Sequence, residues 1–375
     1  MASSLMITNR QTWFGHGTIQ RLIPLLRSEP QPTLLFTCRS FLNGPIYGSL
    51  ADTLAPCLVG SEIVAHEASP QEIDQWVTRW RGKVQRVVAI GGGSVLDAAK
   101  AFSALIEHPL PTLRYMEKVG DSQISGATLP LIAVPTTAGT GSEVTQNAVI
   151  TDTEISKVKA SLRHANFVPQ VAILDPELLT GTPDNLLACC GIDAFTHLLE
   201  SYLSDKASNW SREMSLVGMR HFLSAWPDLN RSDKAREAMM QASYLGGLTL
   251  SMAGLGVIHG IAGEIGALRD YHHGQVCGRL LLPFLELLAE SAHPQQRLLM
   301  AELALRLFPQ QQGAPERYLS DFITRHAIAP FWQQALPLSQ QAFATVLERS
   351  NSKNSWVTYS TEQRALMIER AFLVE

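Results

Sequence analysis

The spacing of apolar residues divides the chain into two halves of different character. In the first half, short continuous apolar runs alternate with longer amphipathic runs. The short runs predict buried strands, and the amphipathic runs predict helices. The predicted strands are 33–37, 62–65, 84–90, 129–134, 148–152 and 171–175, and the predicted helices are 19–26, 70–81 and 95–105. Strands that alternate with helices predict a parallel sheet covered by helices.

Strand signals cease beyond Pro183. The rest of the chain predicts helices over 184–204, 208–226, 233–253, 256–268, 275–291 and 295–308, with shorter ones after. A chain of 375 residues favours two domains rather than one core. We therefore predict an α/β domain over 1–183 and an all-helical domain over 184–375.

Composition narrows the class of protein. Apolar residues make up 46% and charged residues 17%, which is typical of a well-buried globular chain. The formal net charge of -4, with no long charged run, argues against nucleic acid and anionic membranes as partners. We expect no membrane span and no signal peptide. The five cysteines are an odd number without zinc-finger spacing, so we expect reduced thiols and a cytoplasmic location.

A glycine-rich turn, Gly91-Gly92-Gly93-Ser94, lies between a predicted strand and a predicted helix. Free N–H groups at a helix start attract phosphate oxygens. Ser94 is expected to cap the helix and to donate to a phosphate, and Asp97 is placed in the first helical turn. The motif is neither G-x-G-x-x-G nor a P-loop, so a tight structural turn is an equal alternative.

A second polar loop follows the predicted strand 129–134. It carries four hydroxyls close to two glycines, at Thr136, Thr137, Thr140 and Ser142. Two loops that each follow a strand of one parallel sheet meet at its carboxyl edge, where open α/β sheets bind ligands. Together the loops favour a nucleotide pyrophosphate site over a surface loop rich in turn formers.

One carboxylate and three imidazoles in the helical half suggest a metal site. Asp193 and His197 are four residues apart, so they share one face of a helix. Further imidazoles follow at His259 and His273, among many glycines and alanines. The alternative is that these are ordinary core histidines, since an Asp/His pair at this spacing is common by chance.

These motifs, in this order and spacing, resemble the iron-containing (metal-dependent, group III) alcohol dehydrogenase family over nearly the whole chain. The segments that carry the resemblance are Phe14-Gly15-His16-Gly17, 91–100, 135–143, 191–197, 254–260, His273-Gly274 and 281–283. The resemblance implies a dehydroquinate-synthase-like fold, with an α/β dinucleotide-binding domain before an all-α metal domain. It also implies NAD(P)-linked interconversion of alcohols with aldehydes or ketones, in which a divalent metal serves as Lewis acid.

The resemblance also implies roles for individual residues. The implied metal ligands are Asp193, His197, His259 and His273, with Fe²⁺ as the expected ion and Zn²⁺ as the alternative. The implied cofactor-binding residues are Gly91, Gly92, Gly93, Ser94, Asp97, Thr136, Thr137, Thr140, Asn147 and Lys159. We also predict a homodimer.

The chain departs from the family pattern in two places. Where most members have a second His four residues after the first, this chain has Gly263. His272 is a candidate catalytic replacement, and its alternative is an exposed turn residue. At the end of the strand 33–37, many NAD-using members have Asp, whereas this chain has Cys38 followed by Arg39. Loss of the acid and gain of a cation predict that NADPH is accepted at least comparably with NADH.

Three functions are compatible with these residues. The first is a metal-dependent alcohol dehydrogenase or aldehyde reductase for a small substrate, with an anionic group that basic side chains would bind. The candidates for that contact are Arg163, His164 and Arg269. The second is a metal- and NAD-dependent lyase of the dehydroquinate-synthase type, which would need more basic residues near the metal. The third, a metal-stabilised binding module, leaves two phosphate loops without a purpose.

Overall fold

The computed structural model describes residues 4–229, 231–311 and 313–375. The chain divides into two compact units, Ile7–Gly181 and Thr182–Glu375, the latter together with residues 4–6. The division lies two residues before Pro183, where the apolar pattern changes.

The unit Ile7–Gly181, which is described throughout, contains a six-stranded parallel sheet. Its strands are β1 (Gln11–Phe14), β2 (Thr33–Thr37), β3 (Gly60–Ile63), β4 (Arg86–Gly91), β5 (Leu131–Pro135) and β8 (Val171–Leu174), in the spatial order β1-β8-β5-β4-β2-β3. Its helices are α1 (Leu22–Ser28), α2 (Arg39–Leu42), α3 (Pro45–Leu54), α4 (Pro70–Trp80) and α5 (Gly93–Leu105).

Strand β4 shows why this sheet has a continuous apolar pattern. Successive side chains of a strand point to opposite faces. Val87 and Ala89 pack into one core cluster with residues of α4 and α5, whereas Val88 and Ile90 pack into another with residues of α1 and α3. Both faces are therefore covered by helices, as parallel strands require.

The sequence prediction is incomplete in this unit. Strand β1 was not predicted, although it pairs with β8. The predicted piece 148–152 lies in β6 (Asn147–Asp152), which pairs antiparallel with β7 (Val158–Arg163) and lies outside the parallel sheet. The polar residues of β7 alternate with apolar ones, so its apolar signal is weak, as expected of a strand buried on one face.

The second unit consists mainly of helices. They are α6 (Asp184–Tyr202), α7 (Asn209–Ala225), α8 (Asp233–Ala253), α9 (Val257–Leu268), α10 (His273–Glu290), α11 (Pro294–Leu307), α12 (Pro315–Ile323), α13 (Ala329–Phe331), α14 (Gln340–Arg349) and α15 (Thr361–Ala371). Helix α6 is buried along almost its whole length, so its polar side chains must find partners inside the protein.

The expectation of an all-helical second half was wrong in one detail. Two strands, β9 (Leu336–Leu338) and β10 (Phe372–Val374), pair in parallel. Each has three residues, which is too short a run for apolar periodicity to reveal.

No single helix in the described ranges has the length and apolar content of a membrane span. Only α8 and α9 taken together reach that length and composition, and they are bent by 102° at the break between them.

Candidate functional site

The four predicted metal ligands converge inside the helical unit. Asp193 and His197 lie one turn apart on α6, His259 lies in the first turn of α9, and His273 is the first residue of α10. Asp193 Oδ1 lies 3.6 Å from Nε2 of His259 and 3.8 Å from Nε2 of both His197 and His273. The His197 ring also stacks on that of His259, with ring centroids 4.6 Å apart.

A cysteine outside the predicted ligand set joins this cluster. Cys277 Sγ lies 3.7 Å from Nε2 of His259 and 3.6 Å from Nε2 of His273. One donor atom from each of Asp193, His259, His273 and Cys277 lies within 4.8 Å of the others. The missed signal was the four-residue spacing from His273 to Cys277, which puts both on one face of α10.

The ionisable groups of the cluster shift one another's pKa values. Burial alone would raise the pKa of Asp193, but the imidazoles of His197, His273 and His259 hold it well below its usual range. Burial opposes the charged form of His259, yet Cys277, Asp193 and Glu200 raise its pKa well above the ordinary value. The three imidazoles thus stabilise the Asp193 carboxylate. A cation bound at the same place would stabilise it in the same way.

The residues fit a divalent metal ion. Asp193 is buried, and its Oδ1 makes no hydrogen bond although three imidazole nitrogens surround it. Metal–ligand bonds of about 2.0–2.2 Å in a tetrahedral site place ligand atoms roughly 3.3–3.6 Å apart, close to the distances seen here. Carboxylate and imidazole donors suit Fe²⁺ and Zn²⁺ alike.

Glu200 is a second residue that the sequence analysis did not select. Its Oε2 lies 2.6 Å from His259 Nδ1, and its Oε1 accepts a hydrogen bond from the Ile258 backbone N–H at 2.7 Å. The contact orients the His259 ring with Nε2 toward Asp193, as outer-shell carboxylates do for metal-binding histidines. Glu200 follows Asp193 by seven residues, or two turns of α6. This spacing indicates that the two side chains lie on the same face of the helix.

His272 and Gly263 lie at the positions where the chain departs from the expected pattern. His272 is exposed and precedes α10 as its N-terminal cap residue, and it is not among the residues whose donor atoms gather around Asp193. Its exposure favours the turn interpretation, and its catalytic role stays a prediction. A Cβ built on Gly263 would meet nothing within 4 Å, so the face of α9 at this position is open.

The two phosphate-loop candidates meet at the carboxyl ends of β4 and β5. The Thr136 N–H donates to Gly91 O at 2.9 Å. A Cβ on Gly93 would lie 2.6 Å from Thr140 Cγ2, and one on Gly92 would lie 3.2 Å from Thr137 Oγ1. A side chain at Gly93 would therefore displace Thr140, and one at Gly92 would require Thr137 to shift by a few tenths of an ångström.

The start of α5 differs from the prediction. Gly92, rather than Ser94, is the N-cap residue, and no side chain caps the helix. Ser94 is the second residue of α5, because the helix begins within the glycine run. The first N–H groups of α5 thus have no side-chain partner, which suits a site for an anion.

Asp97 was expected in the first turn of α5 but lies beyond it, since no acidic residue occurs in that turn. Its carboxylate accepts hydrogen bonds from the Ser142 hydroxyl and from the Val149 N–H, and it lies 3.1 Å from Lys100 Nζ. Asp97 therefore connects α5 to the second loop and to β6. These contacts indicate a positioning role for Asp97.

The remaining predicted cofactor residues occupy separate elements of the unit Ile7–Gly181. Asn147 begins β6, and its Oδ1 is buried without a hydrogen bond. Lys159 on β7 is ion-paired with Glu67. Cys38 follows β2 and lies with Sγ 3.1 Å from Ser40 Oγ, and Arg39 is exposed. The Asn147 amide oxygen can accept a hydrogen bond, and the uncapped start of α5 can bind an anion. Both fit a dinucleotide, which carries hydrogen-bond donors and phosphates.

The three basic residues considered for an anionic substrate have protein partners. Arg163 is ion-paired with Glu117 at 2.8 Å. His164 Nδ1 accepts from the Asn166 N–H at 3.1 Å, and Arg269 donates to Ser339 Oγ at 3.2 Å. An anionic group would therefore compete with contacts that already exist.

Glu143 supports a prediction about pH. Burial raises its pKa to about 7, against weaker opposing effects of a backbone hydrogen bond and Lys100. A raised folded-state pKa means that the folded protein holds the proton more tightly, so stability is lost as pH rises from about 4.5 through 7. The native protein should lose about 1–3 kcal/mol of free energy of unfolding between pH 5 and pH 8 through this group. Glu143→Gln has no such carboxyl group and should not show this loss. Urea unfolding of both proteins at the two pH values measures this, and a difference that does not change with pH would contradict it.

Two family models match the chain. The iron-containing alcohol dehydrogenase model matches residues 9–176, and the model for the C-terminal part of the same family matches residues 187–331. They confirm the resemblance on which the sequence analysis relied.

Individual relatives agree with these matches. Lactaldehyde reductase of Escherichia coli is 32% identical over 286 residues, covering 74% of each protein. The probable alcohol dehydrogenase EutG of Escherichia coli is 38% identical over 238 residues, covering 62% of this chain and 58% of the relative. The chain spans about half to three fifths of the length of the first curated relatives that it matches.

Solved structures have the same fold. An archaeal alcohol dehydrogenase from a Red Sea brine pool superposes with a TM-score of 0.86 at 22% identity, over 99% of both chains. Sulfoacetaldehyde reductase from Bifidobacterium kashiwanohense, solved in complex with NAD⁺, superposes with a TM-score of 0.84 at 21% identity, over 98% of this chain and 97% of that one.

Proposed function

Since the chain belongs to the iron-containing alcohol dehydrogenase family, we propose that it is a metal-dependent, NAD(P)-linked alcohol dehydrogenase or aldehyde reductase. The observation that carries the proposal is the convergence of Asp193 with three imidazoles in a buried cluster, where the Asp193 oxygen lacks a hydrogen bond. The proposed ligands are Asp193, His197, His259 and His273, and the proposed ion is Fe²⁺, with Zn²⁺ as the alternative.

The protein's own residues supply binding and orientation. Glu200 holds the His259 ring, and the buried carboxylate of Asp193 provides negative charge for a cation. Gly92, Gly93, Thr137 and Thr140 form the packed pair of loops proposed to receive the cofactor phosphates, at the uncapped start of α5. When bound, a divalent metal polarises the alcohol or carbonyl oxygen, and the nicotinamide carries the hydride.

A carbonyl panel tests the proposal. The full chain, reconstituted anaerobically with Fe²⁺ or Zn²⁺, is assayed with small aldehydes and NADH or NADPH. We expect steady oxidation of the reduced cofactor that depends on the metal and stops with a chelator. A protein that holds the metal but never consumes reduced cofactor would favour the lyase of the dehydroquinate-synthase type.

The substrate class is a narrower proposal. A Cβ on Gly263 would meet nothing within 4 Å, so this face of α9 is open where most members of the family have an imidazole. We propose a small aldehyde with an anionic group, such as succinic semialdehyde or phosphonoacetaldehyde. We expect kcat/KM to be higher for these two than for butanal, and a clear preference for butanal would remove the anionic part of the proposal.

The end of β2 supports a prediction about the cofactor. Cys38 carries no charge where an acidic residue would repel a 2′-phosphate, and the exposed Arg39 adjoins it. We expect the native protein to accept NADPH at least comparably with NADH. Cys38→Asp should shift the preference toward NADH by roughly 1–3 kcal/mol, measured as the ratio of kcat/KM values. A native protein that favours NADH a hundredfold would contradict this.

Two further proposals come from the sequence. We propose a homodimer, to be checked by light scattering on the purified chain. We also propose a cytoplasmic location, to be checked by fractionating cells that express it.

A further inference from the structure

The hairpin of β6 and β7 has two faces of different character. Residues two apart on a strand point to the same face, and so do residues directly opposite each other on antiparallel strands. The opposite face to the core carries Asn147, Thr151 and Lys159, because Thr151 pairs directly with Lys159. The core face packs into the cluster that contains much of α5, through the apolar residues Ala148, Ile150, Ala160 and Leu162.

Two residues that the family resemblance implies as cofactor-binding, Asn147 and Lys159, thus share the polar face of this hairpin. The amide oxygen of Asn147 is buried and makes no hydrogen bond. The ammonium group of Lys159 carries hydrogen-bond donors and a positive charge. This face therefore offers both an acceptor and a cation to a dinucleotide.

Glu67, in the segment between β3 and α4, contacts the same face. One carboxylate oxygen is ion-paired with Lys159 Nζ, and the other accepts a hydrogen bond from the Thr151 hydroxyl at 2.7 Å. The Thr151 N–H also donates to Ala68 O at 3.1 Å, so the segment is joined to β6 through the backbone as well. One carboxylate thus binds the side chains of two cross-strand neighbours.

This ion pair orients Lys159 more than it stabilises the fold. The side chain of Glu67 is 36% exposed and that of Lys159 is 10% exposed. Solvent screens an ion pair with a partner so exposed, and such pairs add little to folding stability. A lysine ammonium ends a flexible four-carbon stem and has three donors. Glu67 can therefore hold the ammonium in place while other donors serve a ligand.

We propose that Glu67 is a positioning residue, which holds the Lys159 ammonium for hydrogen bonds to oxygen atoms of the dinucleotide cofactor. The inference rests on the proposed function. Since Glu67 acts through Lys159, removing its carboxylate weakens cofactor binding only while Lys159 is present. The opposite role, in which Glu67 withholds Lys159 from the cofactor, predicts tighter binding when the carboxylate is removed.

A double-mutant cycle on cofactor affinity tests the role. The native chain, Glu67→Ala, Lys159→Met and the double variant are reconstituted with metal and titrated with NADH and NADPH by calorimetry, without substrate. We expect Kd to rise about tenfold in each single variant and no further in the double variant. Glu67→Gln retains an oxygen that accepts from Thr151 and should show a smaller rise, so it serves for the cycle if Glu67→Ala does not fold.

Glu117→Ala is the matched control. Glu117 is ion-paired at 2.8 Å with Arg163, which lies on the same strand as Lys159. The control therefore removes another ion pair from β7, and it should leave the Kd of both cofactors unchanged.

The possible results separate the two proposals. Effects that multiply in the double variant, or a Kd that is unchanged or lower in Glu67→Ala, overturn the positioning role and leave the proposed function standing. A native protein that binds neither NADH nor NADPH defeats the proposed function itself.

Discussion

Replacing His259 by alanine is expected to remove most of the bound metal and to lower kcat/KM on the order of a hundredfold or more, which corresponds to about 3 kcal/mol. His259 Nε2 lies 3.6 Å from Asp193 Oδ1, so the substitution removes a ligand from the centre of the cluster. The fold should persist, because the Ile258 and His259 backbone N–H groups still donate to Glu200.

The readouts are metal content after reconstitution, activity in the carbonyl assay and the circular dichroism spectrum. His221→Ala is the control, since His221 lies on α7 and outside the metal-ligating cluster, and it should keep both metal and activity. Stoichiometric metal with full activity in His259→Ala would show that the site has been misidentified.

The second large effect on metal binding is expected from replacing Glu200, because its carboxylate orients the His259 ring. Glu200 accepts hydrogen bonds on both oxygens, from the Ile258 N–H on Oε1 and from His259 Nδ1 and the His259 N–H on Oε2. In Glu200→Gln one oxygen becomes an NH₂ group, which then faces a donor in either orientation of the amide. We expect metal affinity to fall about 10–100-fold, as for other changes of outer-shell partners.

Chelator competition measures that affinity, and the pH dependence of metal binding separates orientation from simple damage. Loss of the carboxylate removes one of the groups that raise the His259 pKa, so the onset of metal binding in the variant should move to lower pH even though the affinity falls. Glu264→Gln is the matched control, as Glu264 is also buried and lies on the same helix as His259. Equal affinities in Glu200→Gln and the native protein would exclude the positioning role.

The predicted elements with strong, long patterns agree with the structure because those patterns are local. The parallel sheet follows from apolar runs buried on both faces, and α6 and α8 begin at the predicted residues. The hairpin of β6 and β7 and the small sheet of β9 and β10 were missed. The run of β7 is too polar to stand out, whereas β9 and β10 are only three residues long and each pairs with a partner remote in the chain.

The sequence by itself determined the family, the two-part organisation, and the pairs of residues that local helix geometry places together. Asp193 and His197 are an example, because four residues make about one helical turn. Only the tertiary structure decided which side chains of α9 and α10 lie beside those of α6. It placed Cys277 beside His259, joined Glu200 to His259, and left His272 exposed. The physical reason is that the packing of separate helices sets these distances, whereas spacing along the chain reports only neighbours on one helix.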